Sequence, residues 1–153
     1  MGYAFLDASR EPATLLDCGI IATMTATTAA ERLLAIAEAL DALIATHAPR
    51  ALAVERLYFN KNARTAMAVA EARGIALLCA VRAGLAVAEY TPQEVKLSVT
   101  GNGRADKKQV QRMLELVLPL ERPVSQDNVA DAIAIALTHA HRARFASAIA
   151  RAT

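Results

Sequence analysis

Cysteine is scarce in this sequence, which contains only Cys18 and Cys79 among its 153 residues. Both lie in apolar runs, and neither belongs to a cluster with the spacing of metal ligands. This scarcity argues against a cysteine-bound metal site and against a disulfide framework. We therefore expect two buried, reduced thiols of the kind found in cytosolic proteins.

Long hydrophobic runs are also missing, although 55% of the residues are hydrophobic. The longest run, from Gly74 to Ala88, is too short to span a bilayer because Arg82 interrupts it. The N-terminus lacks the basic and apolar regions of a secretory signal, and Leu6 stands where a myristoylation signal requires serine or threonine. We expect a soluble, cytoplasmic protein.

Neither sign of charge is in large excess, with 17 Lys and Arg residues against 15 Asp and Glu residues. A net charge of +2 cannot attract a polyanion to the whole surface. Any nucleic-acid site must therefore depend on local clusters of positive charge.

The sequence does contain alternating strand and helix patterns, which predict an α/β protein with a mixed sheet. A chain of 153 residues fits a single domain. The predicted strands are Gly2–Leu6, Ala13–Ile21, Ala51–Glu55 and Leu85–Tyr90, the first two forming a hairpin. The predicted helices run from Thr28 to Pro49, from about Ala63 to Arg82, from Thr91 to Gly101, and onward from Asp106 and Ser125. Gly74 would allow a bend or the close approach of another backbone.

Glu55 ends the strand Ala51–Glu55, whose apolar residues predict burial on both faces. A carboxylate at the mouth of a buried strand is desolvated at a cost unless a cation or hydrogen-bond donors meet it. Glu55 is therefore a candidate metal ligand or catalytic residue. The alternative is a glutamate that emerges into water at a strand end, and for this stretch alone that explanation is the simpler one.

Two loops concentrate positive charge. The first contains Arg56, Tyr58, Phe59, Lys61, Asn62 and Arg64. Its mixture of phosphate-pairing charge and aromatic surface suits nucleic acid.

The second loop follows the turn Gly101-Asn102-Gly103 and contains Arg104, Lys107 and Lys108. It is predicted to be a flexible loop that delivers positive charge at a helix start, although such a run is also typical of a solvated helix face.

The last helix carries Asp127, Asn128 and Asp131 on one face, since Asp131 comes three positions after Asn128 and four after Asp127. Asp127 is explained by the preference of the first helical turn for acidic residues. Asp131 is not, because it lies in an otherwise apolar helix and needs a partner. A divalent cation shared with Glu55 would be such a partner. We expect His139 and His141 to complement the helix C-terminus rather than to bind metal.

Several motifs, taken together and in order from Gly2 to His141, resemble the RuvC-type Holliday junction resolvases. They are Ala53-Val54-Glu55 with Lys61-Asn62, Ala72-Arg73-Gly74, Val95-Lys96, Gly101-x-Gly103-x-Ala105-Asp106-Lys107, and Ala130 to Ala136. The resemblance implies a ribonuclease H-like mixed sheet flanked by helices, a homodimer, and metal-dependent nicking of two strands of a four-way DNA junction. It also implies a branch-migration motor as a partner.

The resemblance also implies the site residues. The metal ligands would be Glu55, Asp131 and either Asn128 or Asp127, holding two Mg²⁺ ions for which Mn²⁺ could substitute. Lys107 would stabilise the charge that develops on phosphorus, supported by Lys96. Contacts to DNA are implied for Arg56, Tyr58, Lys61, Asn62, Arg64, Lys96, Arg104, Lys107 and Lys108.

Two features depart from the family pattern. The family has a strand with an Asp-Pro-Gly motif before the segment that begins here at Gly2, so we expect a truncated chain that lacks the central first strand and its aspartate. Asn128 stands where the family usually has Asp or His. These departures keep two alternatives open: a non-catalytic junction-binding or dimerisation module, and an unrelated ribonuclease H-like nuclease of the transposase type.

Overall fold

The computed structural model describes residues 1–24, 26–56, 63–120, 124 and 126–152, apart from the side chains of residues 63–65 and 152. Within these residues the chain forms, in order, β1 (Gly2–Asp7), β2 (Thr14–Ile20), α1 (Ala29–His47), β3 (Ala51–Glu55), α2 (Ala63–Arg82), β4 (Ala86–Tyr90), α3 (Pro92–Thr100), α4 (Lys107–Val117) and α5 (Asp127–Ala152). The predicted order of strands and helices is confirmed.

Packing divides the chain into two compact units, which are described separately. The first unit comprises residue 1 with residues 21–89, and the second comprises residues 2–20 with residues 90–153. The single domain expected from chain length stays a prediction.

In the first unit, α1 begins at the predicted capping box, in which Thr28 and Glu31 satisfy each other's backbone amides. It packs against α2, and the buried residues include Ile36, Leu40 and Cys79. Gly84, which follows the end of α2, has a φ of 73°, a left-handed conformation that glycine adopts without strain. The buried Cys79 is the core thiol that the sequence predicts.

Strands β3 and β4 are hydrogen-bonded neighbours in a two-stranded sheet. At their beginnings, the Ala86 amide donates to the Arg50 carbonyl oxygen at 3.3 Å. At their ends, Arg73 of α2 contacts both Glu55 and Glu89. The N-terminal ends of β3 and β4 are therefore neighbours, and so are their C-terminal ends. The two strands are parallel, as a strand–helix–strand connection favours.

In the second unit, β1 and β2 form the predicted antiparallel hairpin, with Gly2 opposite Ile20 and Asp7 opposite Thr14. The hairpin packs against α5, and α3 and α4 pack against the same helix. The core here includes Val95 of α3, Leu114 of α4, and Ile133, Leu137 and Thr138 of α5. The Thr138 hydroxyl is satisfied inside this core by donating to the Ala134 carbonyl oxygen at 2.8 Å.

Four local expectations need correction. Cys18 is half-buried rather than buried, because β2 packs less extensively against α5 than β1 does. Residues 51–54 of β3 are half-buried, so that strand is not covered on both faces by the described part of the chain. Gly74 leaves α2 continuous, and no described atom lies within 4 Å of where a Cβ would stand. His139 and His141 are not at a helix end, because α5 continues to Ala152.

No helix in the described ranges is long and apolar enough to cross a membrane.

Candidate active site

The head of α5 presents its polar residues on one side because the other side is buried. Val129, Ala130 and Ile133 are in the core of the second unit. Asp127, Asn128 and Asp131 are exposed, and Asp131 shares a face with the other two because it lies three and four positions after them. The alternation of polar and buried positions thus builds the acidic face that the sequence predicts.

Asp127 is held by two residues of α4. Its Oδ2 accepts a hydrogen bond from Lys107 Nζ at 3.1 Å, and its Oδ1 accepts one from Gln111 Nε2 at 3.3 Å. Lys107 and Gln111 are one helical turn apart, so both reach the same carboxylate. The contact with Asp127, with a smaller contribution from Asp131, raises the pKa of Lys107. The ammonium is therefore charged and located beside the acidic face.

Asp131 has a different electrostatic environment. Although the residue as a whole is exposed, partial desolvation of its carboxyl raises the pKa of Asp131 above its ordinary value. The negative charge of Asp127 raises the pKa further, while Lys107 and Lys96 oppose the shift. An ionised Asp131 is thus incompletely neutralised by its surroundings. A carboxylate in that condition gains from a nearby cation.

The acidic face fits a divalent cation by the chemistry of its donors. Asp131 and Asp127 supply carboxylate oxygens and Asn128 an amide oxygen, which are ligands that Mg²⁺ accepts. The described residues do not, however, bring three Asp, Glu, His or Cys side chains together as a ready metal cluster. The α5 head by itself therefore offers two carboxylates and one amide, and its role as a metal site stays a prediction.

The loop before α4 positions Lys107. Gly101 ends α3 with a φ of 73°, and the Asn102 side chain then accepts a hydrogen bond from the Arg104 amide at 3.0 Å. Asp106 caps α4 through a reciprocal pair of hydrogen bonds with Gln109. The loop predicted to be flexible thus contains an ordered turn and a helix cap, which place Lys107 at the first position of α4.

Glu55 lies in the first unit, at the end of β3, and is exposed. Its backbone carbonyl oxygen accepts a hydrogen bond from Arg73 Nε at 3.2 Å. The convergence of Glu55 with the α5 head stays a prediction.

The predicted DNA contacts are described only in part. Tyr58, Lys61 and Asn62 lie outside the described residues, as does the side chain of Arg64. Arg56, Arg104 and Lys108 are exposed, and Lys96 is half-buried. Exposure leaves these cations accessible to a phosphate backbone, and their roles stay predictions.

Sequence reasoning missed three residues that shape these surroundings. Gln111 follows Lys107 by one turn, a spacing that could have indicated it. Gly2 lies against the α5 head so closely that a Cβ would overlap the Asn128 carbonyl group. Arg73 belongs to one of the family motifs, but no local pattern in the sequence assigns it to Glu55.

Comparisons with known proteins identify the family of the chain. Residues 1–139 match the profile of the family described as Crossover junction endodeoxyribonuclease RuvC. A protein of that description from Pelotomaculum thermopropionicum is 46% identical over 140 residues, covering 92% of this chain and 85% of the relative. One from Alkaliphilus metalliredigens is 43% identical over 147 residues, covering 96% and 90%.

Solved structures show the same similarity. The structure of Thermus thermophilus RuvC matches with a TM-score of 0.86 at 32% identity, covering 95% of this chain and 89% of that one. The same protein in complex with a Holliday junction substrate matches with a TM-score of 0.88 at 33% identity, covering 95% and 88%. The ribonuclease H-like fold expected from the motifs is confirmed. This chain belongs to the RuvC family of crossover junction endodeoxyribonucleases.

Proposed function

We propose that this protein resolves four-way DNA junctions by metal-dependent nicking of two strands. The observation that carries the proposal is the α5 head, where a carboxylate of raised pKa lies beside two lysines in a chain of the RuvC family. The Thermus thermophilus relative was solved with a Holliday junction substrate, which supports the same class of substrate here.

The finer metal assignment belongs to the proposal. Glu55, Asp131 and Asn128 would hold divalent cations, two Mg²⁺ in the expected arrangement, with Mn²⁺ able to substitute. Bound there, the metal would activate water and stabilise the leaving oxygen. Asp127 is the weaker candidate, because Lys107 and Gln111 already occupy its two oxygens. Asn128 is exposed at the same helix head.

The residues of the chain supply the remaining functions. Lys107, charged and held by Asp127, is placed to exchange that partner for a phosphate oxygen and to stabilise negative charge on phosphorus. Lys96 contributes positive potential to the same face. The other basic residues, Arg56, Lys61, Arg64, Arg104 and Lys108, would contact the phosphate backbone, with Asn62 beside them, and Tyr58 would stack on a base at the junction.

A homodimer would place two such sites on one junction. Its support is an exposed apolar stripe on α2, defined as Met67, Gly74, Leu78 and Val81. Spacings of seven, four and three residues place these positions on one helix face, as in packed helix pairs. Gly74 would then admit a backbone from a second copy. We further propose a branch-migration motor as partner and a cytoplasmic location.

Cleavage of a synthetic four-way junction tests the proposal. We expect paired nicks with Mg²⁺ and none with EDTA. Asp131→Asn should reduce cleavage by more than about a hundredfold, since loss of a residue that merely supports a metal ligand costs 10–100-fold. Asp127→Asn separates the two candidate ligands, because it should retain metal-dependent cleavage whereas Asn128→Ala should not.

Junction binding measured by gel shift provides the control. Asp131→Asn should bind the junction as the wild type does, because its loss affects the metal and not the phosphate contacts. A wild-type protein that shifts the junction but never nicks it in Mg²⁺ or Mn²⁺ would favour the alternative of a non-catalytic binding module. Cleavage that survives Asp131→Asn unchanged would refute the site.

A further inference from the structure

Arg73 lies at the point where β3 and β4 both end. Its Nε donates to the carbonyl oxygen of Glu55 at 3.2 Å, and its Nη2 forms an ion pair with Glu89 Oε2 at 2.7 Å. The side chain is only 23% exposed, which is low for an arginine. One guanidinium on α2 thus joins the last residue of β3 to the end of β4.

We propose that Arg73 is a positioning residue for Glu55. This inference rests on the proposed function, in which the Glu55 carboxylate binds a divalent metal. Arg73 does not contact the metal in this proposal. It holds the backbone from which the ligand side chain projects.

The chemistry of arginine suits this task. Glu55 is the final residue of its strand, and the Arg73 Nε–H group donates to its carbonyl oxygen at that point. The guanidinium is planar and donates in fixed, divergent directions, so one side chain reaches the carbonyl and the Glu89 carboxylate together. Glu89 neutralises the arginine and locks its orientation through a charge-assisted contact. With its backbone oxygen anchored, Glu55 loses freedom in the direction of its Cα–Cβ bond.

Small displacements of a ligand matter because metal sites require their oxygens within narrow distances. Residues that orient a ligand typically change metal affinity 10–100-fold when they are replaced. Arg73→Gln removes the charge and the fork while keeping a side chain of moderate length. We expect it to weaken binding of Mn²⁺, measured from the electron paramagnetic resonance signal of the free ion, by at least about tenfold.

Arg82 provides a matched control. It lies on the same helix and pairs with Asp41, away from the end of β3. Arg82→Gln removes an equal charge from α2 and should leave Mn²⁺ affinity within about twofold of the wild type. Arg73→Lys keeps the charge but replaces the planar fork with a single ammonium group, so its affinity should fall between those of the wild type and Arg73→Gln. Glu89→Gln should weaken binding less than Arg73→Gln does.

Cleavage kinetics add a second readout. If Arg73 positions Glu55, the Mg²⁺ concentration for half-maximal cleavage should rise about tenfold, and excess Mg²⁺ should restore kcat. KM for the junction should stay unchanged. Equal Mn²⁺ affinity in Arg73→Gln and Arg82→Gln would overturn the inference. If Arg73→Gln fails to fold by circular dichroism, wild-type Mn²⁺ affinity in both Arg73→Lys and Glu89→Gln would overturn it instead.

Glu55→Gln distinguishes failure of the inference from failure of the proposed function. If Glu55→Gln binds Mn²⁺ as tightly as the wild type, Glu55 is not a ligand and the metal assignment itself is wrong. If Glu55→Gln loses affinity while Arg73→Gln does not, the assignment stands and only the positioning role is refuted.

Discussion

At the scale of single residues, Asp131 shows a conflict between stability and activity. Burial and the neighbouring Asp127 make its charged form unfavourable, and Lys107 and Lys96 compensate only in part, so the pKa of Asp131 is raised. A folded chain that prefers the protonated acid loses stability as pH rises through and above the unfolded pKa. At neutral pH, the ionised carboxylate therefore lowers the free energy of unfolding. A residue that destabilises the fold in this way is typical of a functional site, here one proposed to bind a cation.

Asp131→Asn should consequently raise the melting temperature in metal-free buffer at pH 7 while it removes cleavage. Calorimetry of the wild type and the variant in EDTA measures the change. Asp127→Asn is the control, because it breaks an exposed ion pair with Lys107 and should lower the melting temperature only slightly. A lower melting temperature for Asp131→Asn would contradict the electrostatic account of this residue.

A second prediction at the scale of single residues concerns the packing of Gly2 against the head of α5. A Cβ on residue 2 would overlap the backbone carbonyl of Asn128, which cannot move without shifting the head of α5. Gly2→Ala should destabilise the protein by about 1–3 kcal/mol, the usual cost of overpacking. Chemical denaturation measures it. Gly74→Ala, where no described atom is near the added carbon, should not be destabilising in the monomer. Equal effects of the two changes would refute the close packing at Gly2.

At the scale of elements, α5 combines an exposed acidic head with a half-buried imidazole farther along. His139 Nδ1 and the Tyr90 hydroxyl are hydrogen-bonded at 2.9 Å. Burial lowers the pKa of His139 below its ordinary 6.5 and raises the pKa of Tyr90. Both groups are therefore neutral in the folded protein at pH 7. The same helix thus supplies the site and one of the polar contacts that join it to the end of β4.

Stability should fall as pH drops from about 7.5 to 5.5. Over this range His139 is protonated in the unfolded chain but stays neutral in the folded protein, because its pKa there is lowered. His139→Gln keeps a group able to bond Tyr90 but does not titrate. Its melting temperature should vary less over this range than that of the wild type. Identical pH profiles for the two proteins would show that His139 does not contribute to acid sensitivity.

At the scale of the whole molecule, the α2 stripe makes the proposed dimer testable. Leu78 and Val81 are 58% and 68% exposed, which is high for residues of this size on a packed helix. Sedimentation should give twice the 16.2 kDa of one chain. Leu78→Glu should shift the protein toward the monomer, because it buries a charge in an apolar interface. Leu116→Glu, at a residue that is 74% exposed on α4, should leave the dimer intact. A dimer unaffected by Leu78→Glu would refute this interface.

Much of the architecture followed from local signals in the chain. The capping boxes at Thr28 and Thr91 begin α1 and α3 as predicted, Gly84 follows the end of α2, and Gly101 ends α3. Such signals are readable because they act between residues a few positions apart. The acidic face of α5 was predictable for the same reason, since the helical period alone places Asp127 and Asp131 together.

What local patterns could not supply were the contacts between distant segments. The sequence by itself determined the elements, the family and the chemical character of the α5 head, because these depend on short-range spacing and on ordered motifs. Only the tertiary structure decided that Gln111 and Lys107 take the oxygens of Asp127, that Gly2 abuts Asn128, and that Arg73 joins Glu55 to Glu89. Each of these pairings depends on how helices and strands pack, and packing is set by the whole chain rather than by any one stretch of it.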